Sequence, residues 1–138
     1  MIPEFVPLIA TVFVLFFLIH FSMASLGFLL FRFEVPEVRQ LFRGLLNVYF
    51  RMISFTGLVA TAVFAANGRM AFTAEMLLLA MTAVAVRRKV LHCVDAQQIA
   101  WRAGDTAAIR RLRLIHLGTM LANIAILASV LSSTRFIL

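Results

Sequence analysis

Apolar residues occupy four long runs of this chain, and most of the charged positions fall between them. Phe5 to Phe31 holds no formally charged residue. Gly44 to Ala66 is interrupted by Asn47 and Arg51, and Met70 to Val86 by Glu75 near its start. Leu114 to Ser133 is the fourth run. A membrane-spanning helix needs about 20 mostly apolar residues. Backbone groups in hydrocarbon must bond within their own segment, so each run is predicted to be helical. The pattern predicts an all-α, four-helix transmembrane bundle forming one integral membrane domain over residues 1–138. The expected helices cover 5–31, 44–66, 70–102 and 106–133, the third extending beyond the membrane. Arg87 to Arg102 contains no proline or glycine that would stop it. The first run lacks a basic leader and reads as a retained helix.

The connections carry turn signals. Pro36 in "FEVPEV" disfavours helix at Val35 and reads as a break. Asn67-Gly68 in "AANGRM" is a stop for the second helix. Gly104 breaks the third connection, after which Asp105 or Thr106 can cap the fourth helix.

Composition agrees with the pattern. Hydrophobic residues make up 63% of the 138 and charged residues only 14%, against about 25% in soluble domains. The net charge of +7 would suggest nucleic acid in a soluble protein. Here the basic residues crowd into two connections, so membrane topology and anionic headgroups are the simpler cause, and no nucleic-acid partner is expected. One connection holds Arg32, Arg39 and Arg43; the other holds Arg87, Arg88, Lys89, Arg102, Arg110, Arg111 and Arg113. The opposite side has Arg69 and Arg135. The positive-inside rule then places both termini in the periplasm of a bacterial inner membrane. Cys93 is alone, which excludes an intrachain disulfide.

Polar residues inside the runs are the candidate chemistry, because such groups are costly in lipid and tend to face the bundle interior. His20, Asn47, Arg51, His116 and Asn123 are the candidate ligand- or cofactor-binding residues. Asn47 and Arg51 are one helical turn apart, and His116, Thr119 and Asn123 share a face. His116 admits three roles: a hydrogen bond across helices, ligation of a metal or haem iron, or a proton relay. Asn123 suits an interhelical amide contact. Arg51 snorkels to headgroups or pairs with an anionic ligand or Asp95. Glu75 reads as a headgroup-level residue that pairs with Arg69. Trp101 is either a headgroup-level anchor or a packing residue.

His20, His92, Asp95 and His116 would supply enough ligands for one transition metal. Bis-His haem would need His20 and His116 at one depth, whereas helical rise offsets them by roughly 10 Å. The glutamates of a di-iron carboxylate bundle are missing. So are a P-loop, a nucleophile elbow, a CxxC and a dinucleotide fingerprint. Small residues at Gly57, Thr61 and Ala65, and at Ala24 and Gly27, predict close helix approach.

The stretch "GDTAAIRRLRLIHLGTMLANIAIL" resembles the last helix of small four-helix bacterial membrane proteins, the anthrone-oxygenase-like and related uncharacterised families. In them a basic turn leads to Leu-His and then an Asn, places taken here by His116 and Asn123. The resemblance covers the last quarter of the chain and implies the four-helix architecture and a monooxygenase-like activity. It departs in that "LGT" follows the histidine and only His20 can stand for the family's histidine in helix 1. Two functions follow from all of this. One is a non-catalytic subunit or accessory protein of a membrane complex, partnered by another membrane protein or by copies of itself. The other is a redox-active membrane protein holding haem, a metal or a quinone-like ligand in the cytosolic half of the bundle.

Overall fold

The computed structural model describes residues 3–137. It consists of α1 (Phe5–Phe28), α2 (Pro36–Ala66), α3 (Met70–Arg102) and α4 (Ala107–Ile137). Each helix contains a segment long and apolar enough to cross a membrane. The four form a ring in chain order, α1 lying against α2 and α4, and α3 against the same two. Among the described residues the diagonal pairs make no close backbone approach. The α1–α2 and α3–α4 connections share one end of the ring, called here the basic end because most of the arginines lie there.

Several boundaries differ from the hydrophobic pattern, the start of α2 for a local reason. Pro36, expected as a break, opens α2 well before Gly44. It holds Val35 extended at φ −78°, ψ 124°, and its missing N–H falls in the first turn, where helical N–H groups have no partner anyway. At the other end of that connection α1 stops at Phe28 instead of Phe31. α4 starts at Ala107 and runs to Ile137, beyond the expected Ser133.

The other two connections use one turn chemistry twice. Gly68 and Gly104 take φ values of 70° and 95°, the left-handed region where a side chain is strained. After α2, Arg69 N–H donates to the Phe64 carbonyl and Gly68 N–H to Ala65. After α3, Asp105 N–H donates to Ala100 and Gly104 N–H to Trp101. Both are Schellman endings, which satisfy carbonyls a helix would otherwise leave open. Of the two residues expected to cap α4, Asp105 does so: its carboxylate accepts from Ala107 N–H at 3.0 Å.

The core is a column of buried apolar side chains, including Val14 and Leu18 of α1, Leu46 and Ile53 of α2, Met76 of α3 and Leu112 of α4. Gly57 sets the α2–α3 distance. A Cβ placed there would lie 3.1 Å from that of Ala80. The packed face of α2 continues through Ala60 and Phe64, whereas Ala65, expected on the small-residue stripe, is exposed. In α3 and α4 only 17% of the most apolar window is buried, against 33% in α1 and 39% in α2. The second half of the chain therefore turns most of its apolar surface outward.

Candidate functional site

α4 enters the ring with its polar residues facing α1, and they form a ladder along it. Asn123 is 1% exposed and His116 is fully buried. The Asn123 amide donates to the Leu18 carbonyl at 3.0 Å and to Ser22 Oγ at 2.6 Å. Its Oδ1 accepts from the Tyr49 hydroxyl at 2.5 Å, which brings α2 into the same network. Tyr49 also stacks on Phe21, centroids 4.0 Å apart. Two turns nearer the basic end, His116 Nε2 lies 3.0 Å from the Ser25 carbonyl. A carbonyl can only accept, so Nε2 carries the proton and Nδ1 is the acceptor. Nδ1 faces the Arg113 guanidinium at 3.4 Å.

Arg113 finishes the ladder. It donates to the carbonyls of Phe28 at 2.5 Å and Phe31 at 2.6 Å, and its guanidinium lies 4.4 Å from the centre of the Phe33 ring. A guanidinium at a helix C-terminus satisfies open carbonyls and complements the helix dipole. Phe28, Phe33 and Phe42 meet the His116 ring edge-on, at centroid distances of 5.5–6.0 Å. Arg39 donates to the carbonyls of Phe33 and Glu34, so two arginines hold the α1–α2 connection.

α2 and α3 carry a second set of polar pairs. Arg43 donates to both oxygens of Asp95, at 2.7 and 3.2 Å. Arg87 donates twice to Asn47 Oδ1, at 3.1 and 2.7 Å. The arginine paired with Asp95 is thus Arg43 and not Arg51. Glu75 accepts from Ser133 at 3.0 Å. Trp101 is half-buried, with the Arg39 guanidinium 5.9 Å from its ring centre, so it packs against the first connection.

Not all the sequence candidates enter the interior. His20 is exposed and stacks on Phe16 at 5.9 Å. His92 is exposed, and Arg51 is exposed on α2. The metal candidates His20, His92, Asp95 and His116 are therefore not one site. Among the described residues, no three His, Cys, Asp or Glu side chains come together to hold a metal. The nitrogens of His116 face a carbonyl and a guanidinium, and Asp95 faces Arg43. The reason is helix rotation, which sequence spacing alone does not specify.

Tyr49, Arg113, Arg43 and Arg87 went unrecognised as bonding partners. Tyr49 had a signal, because a buried tyrosine hydroxyl needs an acceptor and this is the chain's single Tyr. Arg113 also had one, being three residues before His116 and so on its face. Arg43 and Arg87 looked like topology charges, and nothing in their local pattern separates them from Arg88 or Arg110.

The seam between α3 and α4 is closed differently from the others. It is joined at the end opposite the basic one by Ser133 and Glu75, and at the basic end by Arg111, which donates to Gln97 at 2.9 Å. Between these clasps lies an apolar cavity of about 350 Å³ bounded by α2, α3 and α4. It is continued toward Glu75 by another of about 190 Å³. Against this geometry, comparison with known proteins adds no relative: no family model, no curated protein and no solved structure matches the chain.

Proposed function

We propose that this protein is a non-catalytic accessory subunit of a membrane complex, held in a bacterial inner membrane with both termini in the periplasm. The arginine-rich connections support that orientation, since basic loops stay in the cytosol. One observation carries the functional reading. Arg51 is the middle residue of the 31-residue α2, is exposed, and has no ion pair or side-chain hydrogen bond among the described residues. It is the single formal charge between Gly44 and Ala66. By helical rise it stands about 10 Å inside the apolar run that opens at Gly44. A guanidinium within an apolar span is a strong reason to expect a binding partner. Of the groups that would compose an internal redox site, His116, Asn123, Asn47 and Asp95 are each bonded to other residues of the bundle, and His20 and His92 are exposed. An acidic or carbonyl-bearing helix of a second membrane protein is the occupant this position calls for.

Purification of the tagged full chain in mild detergent tests the reading. A second membrane protein is expected in constant ratio, and Arg51→Gln, which disturbs no internal bond, is expected to release it. A stable monomer obtained alone from the wild type, or association unaltered in Arg51→Gln, overturns the proposal. Association only with other copies of the same chain replaces it with a homo-oligomer.

A further inference from the structure

The α3–α4 seam is apolar within, basic at one end and held open where its residues are smallest. Gly118 and Ala122 lie one turn apart on α4 and both line the cavity. In the α2–α3 seam Gly57 brings the backbones together, yet a Cβ at Gly118 meets nothing within 4 Å. Small residues ordinarily let membrane helices close on each other. Here they leave a groove.

The groove makes few polar demands on an occupant. Tyr49 and Asn123 are bonded to each other, both amide hydrogens of Asn123 are used on α1, and Thr119 donates to the His116 carbonyl. Thr82 is the one further lining hydroxyl among the described residues, and a groove with so few open polar groups favours a hydrocarbon over a ligand with several hydrogen bonds to make. Along α3 the cavity runs from Leu79 to Cys93, about 21 Å by helical rise. One leaflet of bilayer hydrocarbon is about 15 Å deep, half of a core of about 30 Å. At the basic end Lys89 lines the cavity, is exposed, and has no ion pair or hydrogen bond among the described residues. Arg88 adjoins it in the chain and is exposed as well.

We infer that the groove is a binding site for one acyl chain of an anionic phospholipid, with the phosphate at Lys89. The hydrocarbon lies against Gly118 and Ala122, and the headgroup stays at the arginine-rich end. The Arg51 surface and this groove are separate features, and neither depends on the other.

The test uses the full chain in nanodiscs of phosphatidylglycerol or phosphatidylcholine with identical acyl chains. Lipid retained after mild extraction is counted by native mass spectrometry. The wild type is expected to keep one lipid per chain, with about fivefold preference for phosphatidylglycerol, the preference one lysine near the surface supplies. Lys89→Gln is expected to erase the preference. Gly118→Leu is expected to abolish retention of either lipid. A second measurement needs no variant. Cys93, the chain's single cysteine, lines the groove, so phosphatidylglycerol is expected to slow its alkylation by N-ethylmaleimide in detergent and phosphatidylcholine to do so less. No lipid preference in the wild type together with an unaltered alkylation rate overturns the inference. So does undiminished retention by a folded Gly118→Leu, a neutral quinone-like molecule extracted in place of the lipid, or a second copy of the chain seated in the groove.

Discussion

The Tyr49 hydroxyl and the Asn123 carbonyl oxygen are 2.5 Å apart across the ring, although α2 and α4 make no close backbone approach. Two side chains therefore reach over the diagonal and tie α2 to the α1–α4 pair. Interhelical hydrogen bonds between side chains in membranes average about 0.6 kcal/mol and reach about 1.7. This pair, buried and with its acceptor residue held by α1, belongs toward the upper figure. Tyr49→Phe and Asn123→Leu in a double-mutant cycle are expected to show a coupling of about 1 kcal/mol, read from unfolding in bicelles. Additive effects within about 0.3 kcal/mol would show that the contact contributes nothing to the bundle.

Arg113 is predicted to outweigh its basic neighbours in stability. Its guanidinium serves two carbonyls of the α1 end and faces His116, whereas Arg110 is exposed. Arg113→Met is expected to cost about 1.5–3 kcal/mol, the range for hydrogen bonds to charged groups. Arg110→Met should fall within about 0.5 kcal/mol of wild type. Faster amide exchange at Leu29 to Phe33 in the first variant alone locates the effect, and equal exchange in both would contradict it.

The α3–α4 turn is predicted to loosen in acid. Arg111 donates to Asp105 at 2.9 Å and the Ala107 N–H to its other oxygen, and these bonds hold its carboxyl below the ordinary range. A depressed carboxylate stabilises the fold above its unfolded pKa of about 3.9 and loses that contribution as pH falls through the folded value. Carbon-detected titration of Asp105 should give a midpoint below that of a model peptide. Arg111→Ala should move it upward, and no movement would remove Arg111 as the cause.

Two glycines should respond oppositely to the same substitution. At Gly57 a Cβ meets Ala80 Cβ at 3.1 Å, tighter than ordinary contact, so Gly57→Ala is expected to cost about 1 kcal/mol by overpacking. Gly118 has open space, and Gly118→Ala should be neutral or gain up to about 1 kcal/mol of helix propensity. Thermal midpoints in one detergent compare them directly; similar losses at both would mean that the α3–α4 groove is closed in solution.

How much of this could be read from the residues depends on what each signal measures. Apolar run length reports the spans well, because a bilayer imposes a minimum length on every helix. Glycine after Asn67 and after Ala103 reports the turns, because left-handed backbone excludes most side chains. Face sharing by His116 and Asn123 was also legible from their seven-residue separation. Their backbone partners were not. Leu18 and Ser25 contribute backbone carbonyls, which every residue owns, so no letter in the sequence marks them. The pairing of Asp95 with Arg43 in place of Arg51 depends on the rotation of α2, which is set by Gly57 closing on Ala80. Pro36 was read as an interruption because proline both ends and begins helices, and the choice rests on the extended backbone of Val35.

The carbonyls of Phe28 and Phe31 receive their guanidinium from a residue 85 and 82 positions further along the chain. Chains are synthesised at about 5–20 residues per second, so this separation corresponds to roughly 4–17 s. For that interval the end of the first helix exists without the group that completes it, and interruption of synthesis anywhere before Arg113 leaves it in that condition.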